Sequence, residues 1–395
     1  MKIKKWLSLT LAGLTCFATC GCSILQGGSS ASSGEEGVKA EELVDFVVNV
    51  EAGRDVRVLQ LTDTQFIDYS QLREGDEVSS MYAPEKKEEF CYRYIRQVVN
   101  RYQPDLILVT GDIVYGKFDD NGSALTEYIA FMEEFKIPWA PIFGNHDGES
   151  RMGADWQCQQ FENAEYCLFK QRELTGNGNY TVGIQQGDRL QRVFFMLDSN
   201  GVASMSEETA ANGHSRREVG FGADQIKWYK EEAKKIKEES PKTKLSFVFH
   251  IQLTAFQNAI REYVDYENFS SLDLDKEESA QSKGDFGYIG HTTKNDWDAD
   301  FQVWNGLKEL GVDSIFVGHE HCNSFSIVYD GIRLQYGQKS SQYDRYNKII
   351  NGNVVGSYDH EGTPILGGTK ITLNKNNGAI YGDSGLILWD PALEE

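Results

Sequence analysis

Trp139-Ala140-Pro141-Ile142-Phe143-Gly144-Asn145-His146-Asp147 is an apolar run that ends in residues able to bind a metal or a phosphate. Five other runs end the same way. Val56-Arg57-Val58-Leu59-Gln60-Leu61 leads into Asp63, Leu106-Ile107-Leu108-Val109 into Gly111-Asp112, and Val193-Phe194-Phe195-Met196-Leu197 into Asp198. Leu245-Ser246-Phe247-Val248-Phe249 stops at His250, and Ser314-Ile315-Phe316-Val317 at Gly318-His319-Glu320-His321. Short continuous runs of β-branched and aromatic residues read as strands buried on both faces. In open α/β sheets, ligands collect at the carboxyl ends of such strands. One pole of a sheet system is therefore expected to gather Asp63, Asp112, Asn145, His250, His319 and His321. These hard oxygen and imidazole donors are numerous enough for two divalent or trivalent metals.

Helical patterns separate the strands: Glu85 to Tyr102 before Pro104, Ala124 to Phe135 before Pro138, Ala223 to Lys237, and Asp300 to Leu310 ending at Gly311. Such alternation predicts βαβ units and a layered α/β architecture. Because the candidate ligands spread from Asp63 to His321, residues 44–395 are read as one domain closing around one site. After His321 the pattern turns hairpin-like, Phe325 to Tyr329 and Ile332 to Tyr336 about Asp330-Gly331, then Thr369 to Leu373 before Asn376-Asn377-Gly378. These pieces are expected to complete a second, more antiparallel sheet. The long polar stretch from Thr254 to Trp297 reads either as a lid or as a solvated insertion. Its glycine-rich Gly284-Asp285-Phe286-Gly287-Tyr288-Ile289-Gly290 follows no strand and opens no helix, so it is not read as a phosphate loop.

Met1-Lys2-Ile3-Lys4-Lys5-Trp6 and the apolar stretch from Leu7 to Ala18 have the layout of an export signal, and Thr19-Cys20-Gly21-Cys22 follows it. The latter resembles a bacterial lipobox, with Cys22 the expected lipid-bearing residue, Cys20 its competitor, and an ordinary cleaved signal the alternative. Residues 1–22 are thus expected to be a lipoprotein signal, and residues 23–43, rich in Gly, Ser, Ala and Glu, a flexible tether. The expected location is the bacterial cell envelope, outside the cytoplasm, with the membrane reached through the lipid on Cys22. Loss of residues 1–22 moves the formal charge from -21 to -24. A nucleic acid held by charge alone is not expected on so acidic a chain. A phosphate ester held by metals is compatible with it, because the ions bring positive charge locally. Cys158 and Cys167 are read as either a disulfide or two thiols, and without a CxxC pair a cysteine zinc site is not expected.

Asp63-Thr64-Gln65, Gly111-Asp112, Gly144-Asn145-His146-Asp147, His250 and Gly318-His319-Glu320-His321 occur in that order. Together they resemble the five signature blocks of the calcineurin-like metallophosphoesterases, the third and fifth in full. The resemblance implies an α/β fold, a four-layer αββα sandwich of two mixed sheets. It implies Asp63, Asp112 and His321 on a first metal, and Asp112, Asn145, His250 and His319 on a second, with Asp112 bridging. Two such ions acidify a shared water and clamp both oxygens of an in-line displacement at phosphorus. His146 is implied as the group beside the transferring phosphoryl, with Asp147 orienting it; a purely structural role behind the metals is the alternative.

Gln65 stands where the first block usually has a histidine ligand, and Tyr115 stands three residues past Asp112. That pair resembles the purple acid phosphatases, in which the tyrosine binds ferric iron. Tyr115 and Gln65 are therefore both candidate ligands, and Tyr115 as an aromatic packing under its loop is the competing reading. The expected cofactors are two ions of iron, manganese or zinc. Tyr336-Gly337-Gln338-Lys339 is similar to a Tyr-Gly-Arg-Lys segment of the same subgroup, with Gln338 in place of the arginine. The expected function is hydrolysis of a phosphomonoester or phosphodiester. The alternative is a catalytically weak binding or sensing lipoprotein on the same scaffold.

Overall fold

The structure is a computed structural model describing residues 39–71, 73, 87–200, 220–265, 268, 271–290, 300–340, 348–350, 353–355 and 366–393. The leader with Cys20 and Cys22, most of the tether, and His214, His291 and His360 lie outside the described residues. Among the described residues no helix is long and apolar enough to cross a membrane.

The first sheet is built from β1 (Phe46–Asn49), β5 (Tyr180–Gln186), β6 (Arg189–Met196), β7 (Lys244–Val248), β10 (Val312–Val317), β11 (Ser326–Tyr329) and β12 (Ile332–Tyr336). Its order is β1-β5-β6-β7-β10-β12-β11. β6, β7, β10 and β12 run parallel, whereas β5 against β6 and β11 against β12 are antiparallel. The second sheet contains β2 (Val56–Leu61), β3 (Leu106–Val109), β4 (Trp139–Pro141), β15 (Gly367–Leu373) and β16 (Gly385–Leu388), in the order β16-β15-β2-β3-β4. Here β2, β3 and β4 are parallel and the two late strands antiparallel. Two short hairpins, β8–β9 (Leu272–Asp273 with Tyr288–Ile289) and β13–β14 (Lys348–Ile350 with Asn353–Val355), stand apart. The fold is thus mixed α/β with two main mixed sheets.

The parallel strands are the apolar runs, and their residues are almost all buried. Full burial requires that both faces be covered. One face of each sheet meets the other sheet. Gln60 on β2 donates through Nε2 to Val317 O on β10 at 2.9 Å, and its Oε1 accepts from Gln335 Nε2 on β12 at 2.9 Å. The outer faces carry helices. Trp228 and Tyr229 of helix Ala223–Glu239 lie against Phe195 and Phe247, while Tyr102 at the end of helix Lys87–Tyr102 packs at Thr372 on β15.

Two expectations change. The pieces after His321 do not share one new sheet: β11 and β12 extend the first sheet beside β10, while β15 and β16 complete the second beside β2. The described parts of the Thr254 to Trp297 stretch are not a solvated insertion. Helix Thr254–Ile260 buries Phe256, Ala259 and Ile260, and Leu274, Ala280 and Ile289 follow it into the core. Cys158 and Cys167 are both buried free thiols. Burial pushes the Cys158 thiol up to about 12.

Arg192 on β6 is fully buried between the sheets. It forks onto Asp313 at 2.6 and 3.0 Å and reaches Gly378 O, in the turn after β15, from Nε at 3.0 Å and Nη2 at 2.8 Å. Ser246 and Ser314 complete its shell. Losing Arg192 leaves the buried Gly378 O without its donor, at a cost of about 1–3 kcal/mol, while Asp313, partly exposed, keeps Lys244 Nζ at 3.8 Å. Arg192→Met is therefore expected to lower unfolding stability by about that amount in a denaturant titration; a change below about 1 kcal/mol would deny Arg192 this role.

Candidate metal centre

Each expected ligand sits where its strand ends: Asp63 after β2, Asp112 after β3, Asn145 after β4, His250 after β7, and His319 and His321 after β10. The chain turns abruptly there. Asp63, Asp112 and His319 have φ of 50°, 50° and 76°, the left-handed region that non-glycine residues rarely occupy. Cross-strand backbone bonds hold them in it. Asp63 N donates to Gly111 O at 3.1 Å and Gln65 N to Asp112 O at 2.8 Å. Gly111, at φ 87°, lies so close that a Cβ there would stand 2.7 Å from His250 Nδ1 and 2.8 Å from Gly144 N, and a Cβ on Gly144 would land on Asp112. The glycines of the second and third blocks are thus what let these strand ends touch.

Asp63, Asp112 and His250 each present an atom within 4.8 Å of the others, and all three are buried. The remaining donors close around them. His321 Nε2 lies 3.2 Å from Asp63 Oδ1 and His250 Nε2 3.3 Å from Asp112 Oδ2. Asn145 Oδ1 faces His319 Nδ1 at 2.8 Å and His250 Nε2 at 3.1 Å. Donors about 2.1 Å from a common ion stand about 3 Å apart when adjacent in an octahedron. The spacing and the hard oxygen–imidazole chemistry therefore fit metal ions. His250 Nδ1 lies 2.8 Å from Thr110 O, a partner that only accepts, so Nδ1 carries a proton and Nε2 is the nitrogen turned to the carboxylates.

The electrostatics point the same way. Burial alone would raise the Asp63 carboxyl, yet His321 and His250 hold it at about 2. Asp112 is held well below the carboxylate range against the same burial by His250 and His146. Burial opposes charge on His250, but Asp112 and Asp63 draw it up to about 10. Two buried carboxylates therefore demand positive charge at this spot. His321 goes the other way, to about 4, through burial and the nearby Lys339 ammonium.

His146 lies at the rim, its side chain about one quarter exposed, with Nδ1 3.1 Å from Glu149 Oε1. Its ring stacks on Tyr115 at 4.2 Å between centroids. The Asp147 carboxylate bonds to backbone and not to the His146 ring. The Asp147 oxygens accept from Val114 N at 3.0 Å and Gly144 N at 2.7 Å, tying the second block to the third. The carboxylate that faces His146 is Glu149, because the helical turn Asp147–Glu149, which His146 precedes, brings Glu149 back over it at i+3. Burial and repulsion from Asp112 raise Asp147 to about 7.

The Gln65 amide makes two hydrogen bonds at the site. Its Nε2 donates to Asp112 Oδ2 at 3.3 Å, and its Oε1 accepts from Lys339 Nζ at 3.5 Å. Lys339, which sequence reading left without a role, also donates to Asp63 O at 3.0 Å and is 1% exposed. Its place after the hairpin, in Tyr336-Gly337-Gln338-Lys339, is the signal that marked it. Gln338 is buried and bonds within its own segment, to Lys339 O at 3.3 Å. Tyr115 is found in ring contacts with His146, Phe118 and Lys117. Asp198 is held by Asn177 N and Asn200 N, each at 2.8 Å, and stands outside the buried triad.

The family profile described as calcineurin-like phosphoesterase matches residues 56–323. Phosphatase DCR2 of Saccharomyces cerevisiae is 26% identical over 258 residues, 62% of this chain and 41% of that protein. Probable inactive purple acid phosphatase 29 of Arabidopsis thaliana is 25% identical over 272 residues, 62% of this chain and 61% of that one. The chain thus spans less than two thirds of either relative. A dimetal phosphatase from Danio rerio aligns in three dimensions over 80% of this chain and 92% of its own, at 11% identity and TM-score 0.48.

Burial disfavours the His146 imidazolium, but Asp112 and Glu149 outweigh it and raise the ring above its ordinary value. The stabilisation from that charge is complete below the ordinary histidine value near 6.5 and is lost as pH rises through the raised one. Glu149→Gln should lower the His146 pKa in metal-free protein, read from its ring-proton NMR titration. An unmoved titration would mean that Glu149 does not support the charged ring.

Proposed function

Because the chain belongs to the calcineurin-like phosphoesterase family, we propose that it hydrolyses a phosphomonoester or phosphodiester at a centre for two metal ions of the iron, manganese or zinc class. The observation that carries this reading is the convergence of Asp63, Asp112, Asn145, His250, His319 and His321, with donor contacts of 2.8 to 3.3 Å, from strand ends of both sheets. Asp63, Asp112 and His321 would hold one ion, and Asp112, Asn145, His250 and His319 the other. Such a pair, when bound, supplies charge that polarises the phosphoryl oxygens and acidifies water.

The chain's own residues do the rest. Asp63 and Asp112 stay ionised because their pKa values are held low, so they offer carboxylates over the whole physiological range. His146 has Nδ1 engaged by Glu149 and its ring plane set by Tyr115, which leaves Nε2 to hold a proton for the departing oxygen. Asp147 keeps the His146 segment against the second block through its two backbone bonds. Tyr115 as an iron ligand is a further part of this proposal, supported by its position three residues beyond Asp112. The leader-like residues 1–22 support placing the reaction outside the cytoplasm, on a lipid at Cys22.

One observation favours the alternative of a catalytically weak binder: Gln65 turns its amide nitrogen, which cannot ligate a metal, toward Asp112. The two readings part on purified protein assayed for metal content and for turnover of an aryl phosphate and a bis-aryl phosphate. Two ions with turnover support the hydrolase; bound metal without turnover on either ester favours the binder.

Asp112→Asn is expected to abolish hydrolysis, a loss of at least about a thousandfold, while the circular dichroism spectrum stays native. Unchanged turnover in folded, metal-loaded Asp112→Asn protein would sink the mechanism. His146→Ala should lower kcat by about 10²- to 10⁴-fold with metal content unchanged; metal loss in step with activity would make it a structural residue instead.

A further inference from the structure

We propose that Lys339 is a built-in cation of the metal centre: paired with Gln65, it makes the half formed by Asp63 and His321 the weaker of the two ion sites. The inference rests on the reading of the site as a two-metal centre. Lys339 is placed by backbone, not by chance of rotamer. The segment after β12 pairs with the end of β2 through a Thr62–Lys339 bridge, and Ser340 N donates to Thr62 O at 3.0 Å. This carries the Lys339 stem into the interior beside the first block. Nζ then meets Asp63 O at 3.0 Å and Gln65 Oε1 at 3.5 Å.

These contacts also settle which way Gln65 points. An ammonium only donates and a carboxylate only accepts, so the amide oxygen belongs toward Lys339 and the amide nitrogen toward Asp112 Oδ2, 3.3 Å away. In that orientation Gln65 contributes a hydrogen bond to Asp112 and no ligand. The corner where the family usually has a histidine thus holds the Lys339 ammonium and the Gln65 amide donor. Both act against a cation at Asp63 and His321: Gln65 offers it no ligand, and a like charge stands a few ångströms away. The half formed by Asn145, His250 and His319 has neither handicap.

The test is calorimetric titration of metal-free full-length protein with Mn²⁺, which reads binding without reference to turnover. Wild type should take two ions with affinities at least about tenfold apart. Lys339→Met should tighten the weaker site about tenfold or more and leave the stronger within about twofold, whereas Lys339→Arg should retain the wild-type inequality. Gln65→Leu should leave the weaker site within about twofold, since no ligand is lost. Two wild-type ions of equal affinity, a Lys339→Met protein whose weaker site is unchanged or weaker still, or loss of that ion in Gln65→Leu would each overturn the inference. Should Lys339→Met fail to fold, Lys339→Gln, which also removes the charge, takes its place with the same expected and overturning results. No Mn²⁺ bound by wild type would overturn the phosphoesterase reading itself, and this inference with it.

Discussion

The Asp63 carboxylate is where the two sheets of this protein are tied together at the site. It follows β2 of one sheet, yet it accepts the N–H of His319, just past β10 of the other, at 3.1 and 3.2 Å and stands 3.2 Å from His321 Nε2. Thr62 Oγ1 donates to it at 2.7 Å. A buried carboxylate is tolerable only when it is this fully engaged. Its left-handed backbone, and those of Asp112 and His319, follow from the need to stop each strand at once and turn its side chain into the cleft.

Away from the site, the interface between the sheets is polar at chosen points. Gln60 uses both ends of its amide across the sheets, and Arg192 spans from β6 to the turn after β15. Such groups add little net stability over an apolar filler, but they admit one register of sheet on sheet, because any slip would strand them unpaired. Register matters here, since three ligand-bearing strand ends from the second sheet and two from the first must meet within a few ångströms.

The charge distribution suits a metal centre in an acidic protein. The chain as a whole is strongly negative, and its surface offers no general attraction to phosphate. The buried carboxylates instead call for positive charge locally, and Lys339 donates to Asp63 O behind them. His146 stands on the open side with its own carboxylate, Glu149, so the group suited to a leaving oxygen is separate from those suited to holding ions.

The order of apolar runs, each ending in a ligand-type residue, was legible in the chain because a buried parallel strand leaves a continuous apolar signature and a strand's carboxyl end is where such sheets bind. That Asp63, Asp112, Asn145, His250, His319 and His321 stand together at strand ends was legible that way, as were four helices by their period and stop signals. Other features depended on the tertiary structure. Which sheet takes the late strands is a matter of edges available after folding. The partner of His146 is Glu149 and not Asp147, because a short helical turn replaces the extended chain that adjacency in sequence suggests. That the Gln65 amide lies between Asp112 and Lys339, 274 residues away, is known only once the chain is folded. Composition and periodicity report the local backbone, which each residue's neighbours in the chain control. An amide's orientation or a buried ammonium's partner is fixed by groups that only folding brings together.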